Sequence, residues 1–166
     1  RAEYRRMLDR ITDFLDAGGT VVVQEPEFRA TDPKELAVSH RLSLRIERRH
    51  DTDKGGYDTY VFPKDPVHPM FRGIPATYLQ WFNGAFGGEI VSEHTVLPSL
   101  PQKVLASCGL GLRIPAVLEV GHGAGRVIVS RIQVRGRLVR TDGRGDPYQR
   151  RYDPVAVRYL HNLLSL

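Results

Sequence analysis

Few residues in this chain could do chemistry, and spacing gives most of them no partner. Cys108 closes an apolar run and is followed by Gly109 and Gly111. A thiol nucleophile in a strand-to-helix elbow needs small residues on both sides, because the strained turn crowds its neighbours. It also needs a base to generate the thiolate. Here glycine comes only after the cysteine, and Leu112, Arg113, Ile114 and Pro115 do not continue as a helix. Neither His122 nor Glu119 is set by spacing to activate the sulfur. The reading is a small buried cysteine, with a thiol enzyme centred on Cys108 as the alternative.

Gly121-His-Gly-Ala-Gly125 has the glycine density of a phosphate-cradling loop. Such loops draw their affinity from a helix N-terminus that follows, whereas Arg126-Val-Ile-Val-Ser130 is β-branched. A hairpin turn is predicted instead. Glu25 and Glu27 follow a predicted strand at the end where open α/β sheets hold ligands, which makes them candidate acids by position. Without an identifiable partner, they read as solvated loop carboxylates. Tyr78, Trp81 and Phe82 could stack on a sugar ring, or fill a satellite core under a long loop. The six histidines are scattered, none paired with a cysteine at ligand spacing, so no metal site is expected. No catalytic residue is assigned, no cofactor is implied, and the ligand-binding candidates are Tyr78, Trp81 and Phe82.

Composition narrows the partners. A single domain over residues 1–166 is long enough to bury a core, and its 41% hydrophobic content is ordinary for a globular chain. The net charge is +5, but the basic residues are spread along the chain without a recognised motif, so nucleic-acid binding is not expected. No apolar run approaches the ~20 residues that span a bilayer, and no membrane partner is expected. One cysteine permits no internal disulfide and says nothing of compartment.

The elements that must position these residues are better marked. Tyr4, Met7, Leu8, Ile11, Phe14 and Leu15 lie at helical spacing, and Gly18-Gly19 ends that helix. Thr20-Val-Val-Val-Gln24 is a continuous apolar run of the kind found in parallel sheets. Helix, glycine turn and strand form half of a βαβ unit, so a strand before the helix is expected in a longer parent protein. Asp32-Pro33 is predicted to cap a short helical turn. Leu42, Leu44 and Ile46 alternate as in a half-buried strand, 48–56 reads as a polar loop, and 57–62 resumes a strand-like pattern. Prolines break up 63–75, with Met70, Phe71 and Ile74 as anchors. Further short strands are predicted over 89–96 and 103–107. Ala116 to Val120 and Arg126 to Ile132 form the predicted hairpin, and Asp153-Pro154 opens a closing helix with Val155, Tyr159, Leu160, Leu163 and Leu164 on one face.

Several of these stretches together resemble a known family. Phe14-Leu-Asp-Ala-Gly-Gly-Thr-Val-Val-Val-Gln-Glu25 resembles the helix-Gly-Gly-strand passage of class I glutamine amidotransferase-like domains. His68-Pro-Met-Phe-Arg-Gly-Ile74, the hairpin over 118–132 and the helix over 153–166 are similar to segments of their relatives. In this order the chain looks most like the amidotransferase-like accessory domain of glycoside hydrolases of the family 2 and β-galactosidase-like kind. That resemblance implies an α/β fold: a flavodoxin-like three-layer α/β/α sandwich with a mainly parallel sheet, a C-terminal β-hairpin and a closing helix. Active members of the wider family carry a glycine-flanked cysteine and a late His-x-Glu pair. Cys108 follows Ser107 here and no His-x-Glu occurs, so the resemblance implies a scaffold without amidotransferase chemistry. The implied role is a non-catalytic accessory domain of a carbohydrate-active hydrolase, with other domains of the parent chain or identical subunits as partners. The alternative is a carbohydrate- or small-ligand-binding module using Tyr78, Trp81 and Phe82.

Overall fold

A computed structural model describes residues 2–26, 34–48, 60–80, 90–92, 94–138 and 152–166. Helix α1 spans Ala2–Asp16 and closes on Gly18, whose φ of 94° suits glycine. Gly18 N–H donates to Leu15 O and Gly19 N–H to Phe14 O, the paired bonds of a Schellman ending. The chain turns directly into β1 (Thr20–Gln24), which pairs in parallel with β8 (Gly125–Ser130).

The remaining described strand pairs are antiparallel, and the short links dictate that. From β6 (Gln102–Cys108) to β7 (Ile114–His122) the connection is 109–113, and from β7 to β8 it is Gly123-Ala124. Parallel neighbours need a crossover of about a dozen residues or more, so these links fold back as hairpins. With the two-residue strand β4 (Phe62–Pro63), the central sheet runs β1-β8-β7-β6-β4. A second, antiparallel sheet runs β2-β3-β5, from Lys34–Ala37, Ser43–Arg48 and His94–Pro98. The flavodoxin-like, mainly parallel sandwich is therefore not the fold. One parallel pair joins a mixed sheet, and a small sheet occupies much of a layer that helices would fill.

Alternating side chains give the central sheet two apolar faces. On one, Val21, Val23, Leu118, Val120, Val127 and Val129 meet Leu15 of α1 and Leu42, Leu44, Ile46 and Val96 of the small sheet. On the other, Val117, Ile128 and Leu105 meet Met70, Phe71, Leu79, and Ala156, Tyr159 and Leu163 of α2 (Pro154–Leu163). Asp153 caps α2 by accepting from Val155 N–H at 2.8 Å and Ala156 N–H at 3.3 Å. The His68–Ile74 segment is a packing motif. His68 Nδ1 accepts from Met70 N–H, and Asn162 of α2 donates to the carbonyls of Met70 and Arg72.

Local expectations fare unevenly. The helix, glycine turn and strand over 2–24, the hairpin and the closing helix all form where the sequence puts them. Lys34–Ala37 is a strand, not the body of a capped helical turn; Asp32 and Pro33 lie outside the described residues.

Candidate functional site

Polar side chains gather at both ends of the central sheet. Because β7 runs against both its neighbours, β1, β8 and β6 point the same way, and their last residues sit at one end. This is the end that open α/β sheets use for ligands. Here Glu25 is buried, at a φ of 48°. Its carboxylate accepts from Val134 N–H, and from Arg135 N–H at 2.7 Å. Beside it, buried Arg131 donates to Pro115 O at 2.6 Å and Ser92 O at 2.7 Å, with Nη1 at 3.9 Å from Cys108 Sγ. Gln133 donates to Val91 O at 3.1 Å. Glu25 is thus a buried clamp on the 134–135 backbone and not a solvated loop carboxylate, since a charge this buried requires donors. Glu27 lies outside the described residues.

Cys108 is buried and in no disulfide. His122 sits at the far end of β7, eight residues beyond the Ile114 that pairs with Cys108, about 26 Å along the strand. The geometry thus keeps the imidazole and the thiol apart. Glu119 is turned to Arg126, at 3.2 Å.

The opposite end holds an arrangement with no signature in the sequence: Ser39 Oγ lies 2.7 Å from His122 Nε2, and His122 Nδ1 lies 3.7 Å from Asp16 Oδ1. In order and atom type this matches a serine–histidine–aspartate relay. Two observations make it a brace instead. Ser39 Oγ already accepts from Arg41 N–H at 3.2 Å and Leu42 N–H at 3.0 Å, so its lone pairs are taken up by the backbone of its own turn. The Ser39 residue is 3% exposed and the His122 side chain 1%, which leaves no approach for an acyl carbon. Arg41 closes the group by pairing with Asp16. Together these residues tie the β2–β3 turn to the β7–β8 turn and the end of α1.

The glycine motif serves the same junction. A Cβ at Gly125 would collide with the carbonyls of Leu15 and Gly19, and Gly123 has a φ of 61° against Asp16. Gly121 has open space around the position of a Cβ. Two of the three glycines therefore let α1 seat on the hairpin.

Of the aromatic candidates, Tyr78 is 54% exposed at the 3-10 turn Ala76–Gln80; Trp81 and Phe82 lie outside the described residues. Among the described residues no three His, Cys, Asp or Glu side chains gather as a metal site, and no helix is long and apolar enough to cross a membrane. An open groove of about 710 Å³ runs along α1, lined among the described residues by Glu3, Tyr4, Arg6, Met7, Arg10 and Ile11. No family model, curated protein or solved structure matches the chain. Sequence reasoning missed Ser39, Asp16 and Arg131, since only long-range pairing brings them to their partners.

Proposed function

We propose that this chain is a non-catalytic packing domain of a larger carbohydrate-active glycoside hydrolase, holding neighbouring domains or subunits together. The reading keeps the role implied by the family resemblance and drops the fold it implied. What carries it is the use made of the reactive groups. Ser39 and His122 are bonded into a turn junction, and Glu25 and Arg131 clamp backbone. Surface left for recognition includes apolar side chains of α1, namely Tyr4, Met7 and Phe14. The test is paired: the chain alone should hydrolyse no aryl-glycoside, and its deletion from the parent should lower assembly or stability. Hydrolysis by the chain alone overturns the reading.

The exposed ring of Tyr78 favours a second reading, a carbohydrate-stacking platform shared with Trp81 and Phe82. Titration with oligosaccharides while following Trp81 fluorescence separates the two. A spectral shift that saturates in the millimolar range supports the platform, and a flat response removes it.

A further inference from the structure

Among the described residues, the outer edge of β1 has no neighbouring strand. β1 is the terminal strand in the order β1-β8-β7-β6-β4. Gly19 O accepts from Arg126 N–H and Glu25 N–H donates to Ser130 O, so residues 19, 21, 23 and 25 direct their backbone groups to β8. By alternation, Thr20, Val22 and Gln24 direct theirs outward. No strand lies beyond them among the described residues. Natural edge strands are usually protected by a lysine, a proline or a bulge. This edge has none of these, and its valines are half-buried on both faces, Val22 toward α2 and Val21 and Val23 toward α1.

We propose that β1 pairs antiparallel with β1 of a second copy of this chain, about a two-fold axis at Val22. This rests on the packing-domain reading and names its partner. Thr20-Val-Val-Val-Gln24 has the same polar and apolar pattern in either direction. Pairing at Val22 sets Val22 against its own copy, Val21 against Val23, and Thr20 against Gln24. The outward groups are then all in register, giving about six hydrogen bonds across the join. A self-complementary patch is what a two-fold interface requires, and a parallel neighbour would not use this symmetry. Such an axis stands perpendicular to the sheet, so both α1 helices lie on the same face of one continuous sheet. The apolar surface continues onto that helix: a Cβ at Gly19, just before β1, would touch the Phe14 ring, which is 53% exposed, and Met7 on the same helix is 43% exposed. These side chains widen the contact beyond a single strand edge, toward the area that stable interfaces bury.

Sedimentation velocity across micromolar concentrations tests this directly. The chain should sediment at twice its 18.7 kDa, and Val22→Lys should weaken self-association at least about 100-fold. A second measurement keeps the test independent of that variant's folding. Val22→Cys should be captured as a covalent dimer by a short bis-maleimide, whereas Leu110→Cys, at an exposed turn outside the central sheet, should not. A chain that stays monomeric to about 100 µM, or a dimer unaffected by Val22→Lys, overturns the pairing. Neither result touches the packing-domain reading, which is decided by hydrolysis and by deletion from the parent.

Discussion

The two described α-helices, α1 and α2, flank one sheet and are held to it very differently. α2 is 10 residues long and buries Ala156, Tyr159, Asn162 and Leu163. α1 is 15 residues long and buries only Leu8 and Leu15. The apolar residues of α1 fall in one stripe, yet Tyr4, Met7 and Phe14 on it remain exposed. Packing, not propensity, supplies most of a helix's stability in a protein. α2 is therefore a core element, whereas α1 is a half-docked one whose free flank continues onto the outer edge of β1. The contrast teaches where this protein has finished folding and where it still offers surface.

Substitutions sharpen the comparison, beginning on the α2 side. Tyr159 is fully buried and shares a 2.9 Å hydrogen bond with Ser130. Tyr159→Ala should cost ~3–5 kcal/mol, as large aromatic truncations in cores do, read by urea denaturation. A loss under about 1 kcal/mol would end the claim that α2 is a core element.

On the α1 side the largest effect should come from a residue with no side chain. Gly125→Ala places a methyl against the carbonyls of Leu15 and Gly19, so α1 must lift from the hairpin. The expected cost is ~1–3 kcal/mol. Hydrogen exchange should show it as faster exchange across α1 with α2 still protected. Uniform loss of protection in both helices would mean the two are not energetically distinct.

An alkaline titration, compared with a Tyr159 variant, bears on the α2 side. Burial pushes the Tyr159 hydroxyl well above the usual tyrosine range, against the smaller opposite pull of its bond to Ser130. A folded-state value raised above the unfolded one means stability is intact below about pH 10. It then falls as pH rises further, because only the unfolded chain can release the proton, at up to about 1.4 kcal/mol per pH unit. Tyr159→Phe should flatten that alkaline fall. An unchanged alkaline slope in the variant would assign it to other groups.

The smallest effect should be on the free flank of α1. Met7→Ser, measured in the Val22→Lys background to remove self-association, should change stability by less than ~0.5 kcal/mol. A cost near 2 kcal/mol would show that α1 is docked as firmly as α2.

What the sequence made legible was local. The stripe from Tyr4 to Leu15, the Gly18-Gly19 ending, the valine run, the glycine hairpin and the Asp153-Pro154 cap are each defined within about one turn or one strand. Neighbouring residues alone decide them. Lys34–Ala37 shows the limit. Lys, Glu, Leu and Ala favour a helix intrinsically, yet pairing with Ser43–Arg48 and packing of Leu36 on the small sheet's core make it a strand. Strand direction was legible only in part: the Thr20–Gln24 run does pair in parallel, with β8, yet the equally β-branched β8 also pairs antiparallel with β7.

The sequence by itself determined the well-marked helical and extended segments, Lys34–Ala37 excepted, and that Cys108 lacks the small residue before it that a nucleophile elbow needs. Tertiary structure alone decided the rest. It set the mixed sheet, the meeting of Ser39, His122 and Asp16 from three distant segments, the burial of Glu25 on the 134–135 backbone, and the place of β1 at the end of the described central sheet. The physical reason is range: a cap or a turn is settled by bonds between near neighbours, whereas burial, pairing and strand order depend on which distant segments arrive beside each other.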